Sequence, residues 1–588
     1  MDDQGDMDRA GTSERGEDRG PLSGRPWLAS YAPGVAPDVE VPAESLPEML
    51  ATSAERFGNR VALDFFGAET TYTKLAEQVS RAAEALRAVG VRAGDRVALV
   101  LPNCPQHVVA FYAALRLGAV VVEHNPLYTA SELEHQLADC GATVVVCWDK
   151  TAQVIDVLRG MTSVQVILAV DLTSALPWRK RLALRLPVAK ARSARTAMTG
   201  PVPSGVLSWE RVSSSTGPLD KAIPQPSPQD VALLQYTGGT TGTPKGAVLT
   251  HWNLRVNAAQ GRAWMPGLKD GEETVYAVLP LFHAYGLTLC LTYSMSVGAT
   301  LVLLPRFDLD QMLEAIRRRP PTFLPAVPPI YERLAAAARE GGVDLTSIRY
   351  AISGAMSLPP AVVETWESVS GGLLVEGYGM TETSPISLGN PAAVTRRPGT
   401  VGVPFPSTRI RVVDPDNPSH DLPIGERGEL LISGPQVFAG YWNNPIETAA
   451  VFLPGGWLRT GDIAVADADG FVRIVDRIKE LIVTGGFNVY PSEVEDVLRD
   501  LPEIDDLAVV GIRATVDAGE EVVAAVVPAA GATVDSDRVR AYAHERLTGY
   551  KVPRRVVIVD DLPRSQVGKI LRRRVRDQIE SKEDSDAG

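Results

Sequence analysis

The sequence predicts an α/β protein in which helices cover parallel sheets on both faces. Between residues 71 and 170, short apolar runs alternate with segments of helical spacing, and strands separated by helices of that length form parallel sheets. A second region of the same kind runs from about residue 230 to about residue 404. A chain of 588 residues is too long for one hydrophobic core, so we expect two or more domains.

The first predicted elements follow a polar segment. Residues 1–40 are rich in Asp, Glu, Arg, Gly and Pro and contain few large apolar side chains, which predicts a disordered tail. Apolar residues at helical spacing predict helices at residues 46–56 and around residues 75–86. Apolar runs predict strands, which we place at residues 61–66, 96–102, 119–124, 142–148 and 164–170. No segment repeats at a fixed period, which excludes a solenoid.

Charge and composition exclude several functional classes. The formal net charge of −13 argues against nucleic-acid binding, because a phosphate polymer would be repelled. The four cysteines have no CxxC spacing and lie mostly in apolar runs, so we expect buried, reduced thiols and neither disulfides nor a zinc site. The N-terminus has no apolar signal-peptide core, and no continuous apolar run of about 18 residues is present. We therefore expect a soluble, cytoplasmic protein.

Residues 236–246 have the composition of a phosphate-binding loop. They include four glycines, four threonines and Lys245, and an apolar run lies on either side. Glycines let backbone N–H groups face an anion, threonine hydroxyls add donors, and the lysine adds a mobile positive charge. The loop is not of the Walker A type, because Pro244 precedes the lysine and Gly246 follows it. The alternative is a polar linker between two strands.

Three more apolar strands end in segments that could contact a ligand. Residues 350–356 and 373–383 each pass from a strand into a glycine-containing loop, and α/β sheets bind ligands at the carboxyl ends of strands. The apolar run at residues 275–279 leads into a segment that contains His283. On its position alone, a histidine there is more often structural than catalytic.

The C-terminal part of the chain has a different pattern. A β-rich stretch begins near residue 401 and includes Asp462. The last hundred residues form a compact α/β unit, for which we predict strands at residues 507–512, 522–527 and 555–559 and a helix at about residues 535–547. Lys569 lies near the end of this unit.

These stretches resemble, in the same order, the motifs of the adenylate-forming family of acyl-CoA synthetases, luciferases and peptide-synthetase adenylation domains. Residues 236–246 resemble the family's phosphate loop, although Gly238 stands where Ser or Thr is usual. Residues 378–382, 456–462, 471–480 and 562–573 resemble further family motifs, and residues 485–491 are most like bacterial fatty-acid–CoA ligases. The resemblance covers about residues 45 to 580.

This resemblance implies a fold and a reaction. The large domain, residues 41–478, would contain two α/β sheets and a distorted β-barrel, and residues 479–588 would form a small mobile α/β lid domain that rotates about Lys479. A medium- or long-chain fatty acid would attack Mg·ATP to give acyl-AMP and pyrophosphate, and CoA would then displace AMP. The alternatives are an acyl-AMP ligase that loads a carrier protein, a luciferase-like oxidase, and a non-catalytic nucleotide- or lipid-binding protein. Neither acyl chain length nor oligomeric state follows from the sequence.

The resemblance also assigns catalytic roles. Lys569 would be the catalytic lysine, Thr381 would bind the α-phosphate, and His283 would position the acyl group without transferring a proton. Glu382 and Thr237 would hold Mg²⁺, which takes hard oxygen ligands and few protein ones. Without the resemblance, Glu382 would be a solvated loop carboxylate and Lys569 one more cation of a basic helix.

The nucleotide- and CoA-binding positions are likewise implied by the resemblance. Asp462 would accept hydrogen bonds from both ribose hydroxyls, because a carboxylate has two oxygens that accept in parallel. Tyr378 would flank the adenine, and Gly486 would line the path of the pantetheine. The remaining positions are Thr237, Gly238, Gly239, Thr240, Thr241, Gly242, Lys245, Gly354, Ala355, Gly377, Gly379 and Arg477.

Residues 179–195 stand out in an acidic protein. This basic segment has no acidic residue, and its cations alternate with leucine and valine. Such a run is usually a solvated face; the alternative is weak peripheral contact with the inner face of a membrane. The seven cations are Arg179, Lys180, Arg181, Arg185, Lys190, Arg192 and Arg195.

Overall fold

The computed structural model describes residues 20–237, 244–484, 487–513, 520–565 and 568–586. Within these residues, the predicted α/β fold is confirmed: two sheets with helices and a third, antiparallel sheet form the large domain, and a small α/β domain follows. The observed strands and helices lie within a few residues of the predicted positions. No described helix is long and apolar enough to cross a membrane.

The segment at residues 20–40 differs from the disordered tail predicted for residues 1–40, of which residues 1–19 lie outside the described residues. Trp27, in the 3₁₀ turn Pro26–Ser30, is only 1% exposed. The Tyr31 hydroxyl donates to the Pro404 carbonyl at 2.6 Å, and the Tyr31 ring packs edge-on against Trp264 at 5.1 Å. A few aromatic side chains are enough to dock a polar segment on a core that already exists.

The elements before residue 231 supply most of the first sheet and one edge of the second. The helices are α1 Leu46–Phe57, α2 Tyr72–Ala88, α3 Pro105–Arg116, α4 Ala130–Cys140, α5 Ala152–Leu158, α6 Trp178–Ala183, α7 Ala189–Met198 and α8 Trp209–Ser215. The strands are β1 Val61–Phe65, β2 Ala68–Thr71, β3 Arg96–Val100, β4 Val120–Glu123, β5 Val144–Trp148, β6 Val166–Val170 and β7 Leu207–Ser208.

The middle of the chain completes the second sheet. Its strands are β8 Val231–Thr237, β9 Lys245–Thr250, β10 Thr274–Ala277, β11 Thr300–Leu303, β12 Phe323–Ala326, β13 Tyr350–Ser353, β14 Leu373–Gly379, β15 Ile386–Gly389 and β16 Val403–Pro404. Its helices are α9 His251–Trp264, α10 Ala284–Gly286, α11 Tyr293–Val297, α12 Leu309–Arg318, α13 Pro328–Arg339 and α14 Pro360–Ser370, and Leu287–Thr292 is π-helical.

The rest of the chain forms the antiparallel sheet and the small domain. The strands are β17 Arg409–Val413, β18 Gly428–Ser433, β19 Gly440–Tyr441, β20 Phe452–Leu453, β21 Trp457–Ala466, β22 Val472–Arg477, β23 Ile482–Thr484, β24 Phe487–Val489, β25 Ile504–Arg513, β26 Glu520–Pro528 and β27 Arg555–Ile558. The helices are α15 Pro445–Val451, α16 Pro491–Leu498, α17 Ser536–Arg546 and α18 Arg572–Asp586.

Sheet order brings the candidate loops to common edges. The described strands of the first sheet have the order β19-β9-β8-β4-β3-β5-β6-β7, and those of the second β16-β15-β14-β13-β12-β10-β11-β1-β2. Strands β13 and β14 are parallel neighbours, with Ser353 paired to Glu376. The two glycine-containing loops therefore begin side by side at the carboxyl edge of the second sheet, as the sequence predicts.

The remaining sheets follow from the C-terminal strands. The third sheet, β17-β18-β21-β20 with β22 paired to β21, occupies the place predicted for a distorted barrel. In the small domain, β25, β26 and β27 form a sheet whose two faces are each covered by an apolar cluster. The four cysteines are buried and unpaired, as expected.

Candidate active site

Three of the predicted site residues meet where the ends of β14 and β22 lie against the middle of β21. The Tyr378 hydroxyl donates to Asp462 Oδ2 at 2.5 Å, and Arg477 Nε lies 3.0 Å from Asp462 Oδ1. Asp462 and Arg477 are also register partners in the β21–β22 ladder. Burial, and then the Asp462 charge, raises the pKa of Tyr378 well above its ordinary value, so this phenol remains a neutral donor.

Lys569 of the small domain faces this cluster. Burial lowers its pKa to about 8; the Arg477 charge also lowers it, whereas Glu480 and Asp462 act in the opposite direction. Gly568, at φ 83°, lies so close to the large domain that a Cβ there would be 2.8 Å from Met356 Sδ. The small domain thus places the predicted catalytic lysine against the large-domain cluster.

Glu382 and Thr381 lie in the 3₁₀ turn Thr381–Thr383 that follows β14. Glu382 is buried and accepts a hydrogen bond from the Tyr441 hydroxyl at Oε1, 2.7 Å away. Burial raises the pKa of Glu382, and the hydrogen bond from Tyr441 opposes this effect. Among the described residues, no second side chain donates to this carboxylate. Thr381, half-buried, lies beside it.

Two antiparallel strands lie on either side of the phosphate-loop candidate. Strands β8 and β9 are antiparallel, with Thr237 paired to Lys245. Lys245 Nζ lies 2.5 Å from Glu447 Oε2 and 5.3 Å from the centre of the Tyr441 ring. The predicted loop residues Gly238, Gly239, Thr240, Thr241 and Gly242 lie outside the described residues, as does Gly486 between β23 and β24.

The other glycine-loop residues are packed closely. A Cβ at Gly354 would lie 3.1 Å from the Tyr285 ring, and a Cβ at Gly379 would overlap the Pro385 carbonyl oxygen at 1.7 Å. Ala355 is exposed and has a φ of 66°. Gly377 has ordinary contacts at 3.4 Å or more. Glycine at 379 is therefore required by the backbone itself, whatever ligand the loop binds.

His283 caps the short helix α10. Its Nδ1 accepts the Tyr285 N–H at 3.3 Å, and burial lowers its pKa to about 4, so the imidazole is neutral at physiological pH. Asn103, which sequence reasoning missed, fixes the chain just before it: the amide donates to the Ala277 and Leu279 carbonyls at 2.9 and 2.8 Å and accepts from Leu281 N at 2.8 Å. A neutral, positioned histidine fits acyl placement and not proton donation.

Sequence reasoning also missed Tyr441, Glu447 and Glu376. Tyr441 and Glu447 lie in a stretch that showed only a general β-rich pattern. Glu376 precedes Gly377; burial raises its pKa to about 8, and Leu358 N is its hydrogen-bond partner at 3.3 Å. An acidic residue at the end of an apolar strand is a signal that could have identified Glu376, whereas nothing local distinguishes the other two.

Comparison with known proteins agrees with this geometry. The AMP-binding enzyme family model matches residues 50–442, and the model of the AMP-binding enzyme C-terminal domain matches residues 493–569. The chain is 38% identical over 556 residues to the long-chain-fatty-acid–CoA ligase of Bacillus subtilis (strain 168), covering 95% of this chain and 98% of that protein. It is 37% identical over 566 residues to the ligase of the same name from Escherichia coli O6:H1, covering 95% and 99%.

Solved structures agree as well. ATP-bound MatB from Rhodopseudomonas palustris is 30% identical with a TM-score of 0.77, and the match covers 91% of this chain and 99% of that one. A Mycobacterium tuberculosis fatty acyl CoA synthetase is 27% identical with a TM-score of 0.70, covering 92% and 99%. The resemblance drawn from the motifs is thereby confirmed, and the chain belongs to the AMP-binding, adenylate-forming enzyme family.

Proposed function

We propose that the protein is an AMP-forming fatty-acid–CoA ligase, which activates a medium- or long-chain fatty acid with ATP and transfers the acyl group to CoA. The observation that carries this proposal is the position of Lys569, whose neighbour Gly568 lies close to Met356 of the large domain and whose charge interacts with Asp462 and Arg477. The names of the relatives at 38% and 37% identity supply the acid and the acceptor thiol.

In the first half-reaction, the fatty acid carboxylate attacks the α-phosphorus of ATP and pyrophosphate leaves. Asp462 accepts from the ribose hydroxyls; its oxygens have about four lone-pair positions, of which Tyr378 and Arg477 use two. Lys569 neutralises charge that develops at the α-phosphate, where Thr381 also binds. Residues 237–242 and Lys245 bind the rest of the phosphate chain. Catalysis of this kind is mostly positioning and charge neutralisation.

Mg²⁺ fits this site through Glu382 and Thr237. Mg²⁺ is usually bound by one or two protein carboxylates together with substrate phosphates and water. Glu382 is a buried carboxylate that accepts a hydrogen bond from Tyr441, and Thr237 ends the strand that leads into the phosphate loop. A magnesium ion bound there would neutralise phosphate charge. The loop after β13 and the end of β14 supply the other proposed nucleotide contacts, at Gly354, Ala355, Gly377 and Gly379.

The second half-reaction requires the small domain, residues 479–588, to rotate about Lys479. Rotation withdraws Lys569 and brings Gly486 to the path of the pantetheine, so that the thiol attacks the acyl carbon and AMP leaves. The structure supports such a pivot, because Lys479 lies in the single 3₁₀ turn Ile478–Glu480 between β22 and β23. Contacts across the domain boundary include polar ones, such as Ser492 N to Asp476 Oδ2 at 2.9 Å, which water can replace.

The test is product release with ATP, Mg²⁺, CoA and fatty acids of increasing length. We expect pyrophosphate and AMP in equal amounts, both dependent on the fatty acid, with AMP release dependent on CoA. Acyl-AMP that accumulates with CoA but reacts with a carrier protein would favour the acyl-AMP ligase. No pyrophosphate with any acid would overturn the proposal.

We also propose that the basic segment, residues 179–195, makes weak peripheral contact with an anionic membrane surface. It lies on α6, α7 and their connection, where Trp178, Leu182 and Leu186 are 68%, 59% and 53% exposed. Lys180 is bound to Glu314 at 3.1 Å, whereas the other six cations are exposed. Exposed apolar and basic side chains together suit a membrane interface, at roughly 1 kcal/mol per cation.

Co-sedimentation with anionic liposomes at low and high salt tests this contact. We expect the wild-type protein to sediment at low salt and to be released at high salt, because salt screens the attraction between the cations and the anionic surface. The net charge of −13 opposes binding, so the attraction is weak. A variant with Gln at all seven cations should remain in solution. If both proteins sediment equally, or neither does, the segment is a solvated face.

A further inference from the structure

Residues 438–447 connect Glu382 with Lys245, the two charged residues on the side of the site where the phosphates are proposed to bind. We call them the bridging segment. Phe438 N donates to the Glu382 carbonyl at 2.8 Å, which joins the segment to the turn that carries this carboxylate. Trp442 N donates to the Gly246 carbonyl at 2.8 Å, which joins it to the strand that begins with Lys245. The segment is therefore fixed to both sides of the site by its backbone.

Tyr441 lies between the two charges. Its hydroxyl donates to Glu382 Oε1 at 2.7 Å, and its ring centre lies 5.3 Å from Lys245 Nζ. Its own position is well supported, because its N–H donates to Thr448 Oγ1 at 2.9 Å and its ring packs edge-on against Phe438 at 5.0 Å. A side chain held in this way fixes the direction of the groups it contacts.

The arrangement keeps the ammonium of Lys245 apart from the carboxylate of Glu382. Lys245 is paired with Glu447 and not with Glu382. A direct pair between Lys245 and Glu382 would occupy both the cation for the phosphate and the carboxylate for the metal. The Tyr441 hydroxyl is a neutral donor, so it orients Glu382 without cancelling its charge, while the ring offers the ammonium a cation–π contact.

We propose that Tyr441 is a positioning residue whose hydroxyl aims Glu382 at the metal–nucleotide complex and whose ring holds the ammonium of Lys245. This inference rests on the proposed function, because it takes Glu382 as the metal carboxylate and Lys245 as a phosphate-binding cation. Tyr441→Phe removes only the hydroxyl, and Tyr441→Leu also removes the ring. Tyr31→Phe is a matched control, because it removes one hydroxyl bonded to a carbonyl at 2.6 Å outside the site.

The experiment measures binding of Mn²⁺, as a magnesium substitute, to the full chain with α,β-methylene-ATP, by electron paramagnetic resonance of free Mn²⁺. We expect Tyr441→Phe to weaken Mn²⁺ binding about tenfold, the lower end for loss of a group that orients a metal ligand. Tyr441→Leu should in addition raise the KM for ATP. Tyr31→Phe should match the wild type. Metal-free AMP binding, measured by calorimetry, should be unchanged in Tyr441→Phe.

Unchanged Mn²⁺ affinity in Tyr441→Phe would overturn the proposal. So would an equal loss of Mn²⁺ and of metal-free AMP binding, because that pattern indicates general damage to the site. If Tyr441→Phe does not fold, Tyr441→His, which keeps a ring and a donor, replaces it: affinity closer to wild type than that of Tyr441→Leu supports the proposal, and equal affinity overturns it. A wild-type protein that binds no Mn²⁺ with the nucleotide would instead reject the proposed function.

Discussion

In the large domain, the charged side chains of the site have side-chain partners, whereas the hydrogen bonds of Lys569 within the described residues of the small domain are those of its backbone. Asp462 is bound to Tyr378 and Arg477, and Glu382 is bound to Tyr441. Around Lys569, the loop is fixed by its backbone, with Ser565 N donating to the Lys569 carbonyl at 2.8 Å.

This difference matches the chemistry proposed for each domain. The nucleotide must be bound in both half-reactions, so the side chains that bind it are best held in one position by a fixed network of contacts. In the proposed mechanism, Lys569 acts only in the first half-reaction and is then withdrawn, and a network of strong bonds would oppose that movement. The small domain can move as a unit because it has its own apolar clusters on both sheet faces.

Removal of Lys569 should have the largest effect and should separate the two half-reactions. We expect Lys569→Ala to reduce acyl-AMP formation by about 10²-fold or more, the scale for losing one group that stabilises developing charge. Thioester formation from supplied acyl-AMP should remain largely unchanged. Both rates can be measured by quenched single-turnover assays. An equal loss in both would indicate a structural role for the lysine.

Asp462→Asn should damage both half-reactions. Hydrogen bonds to a charged group contribute about 1.5–3 kcal/mol, so we expect kcat/KM for ATP and for supplied acyl-AMP to fall by roughly 10- to 100-fold each. The midpoint of thermal unfolding, measured in parallel, shows whether loss of the contacts with Tyr378 and Arg477 also destabilises the protein. A loss confined to one half-reaction would contradict the proposal that Asp462 binds the nucleotide in both.

Proline at the pivot should affect the second half-reaction alone. Proline restricts φ, and we expect Lys479→Pro to retain adenylation while CoA-dependent turnover falls by about tenfold or more. Lys479→Ala, which keeps backbone freedom, is the control and should retain most of the turnover. If adenylation is lost, or if turnover is unaffected, Lys479 is not the pivot.

The pH dependence of adenylation should report Lys569. The lowered pKa of about 8 means that the charged form, which the reaction needs, is present below that pH and is lost above it. We expect kcat/KM for ATP in the adenylation half-reaction to fall above pH 8, to about one-tenth at one pH unit higher. Lys569→Arg stays charged, so any residual activity should show no such fall. The same pH dependence in both proteins would assign it to another group.

Much of the fold was predictable because it depends on local patterns. Alternating apolar runs and helical spacing placed β3, β4, β5 and β6 to within a few residues. Residues 20–40 were mispredicted, because average composition does not show that Trp27 and Tyr31 have a core to pack on. Whether an apolar side chain is buried depends on what the rest of the chain supplies.

The sequence by itself determined which chemical groups are candidates for the site, since the resemblance of short motifs to those of the family pointed to Lys569, Asp462 and Glu382. Only the tertiary structure decided which partners these groups have. Tyr378 and Asp462 are 84 residues apart, Tyr441 and Glu382 are 59 apart, and Asn103 reaches Leu281 across 178 residues. Such pairs arise from strand order and register, which bring distant segments together, and no local pattern records them.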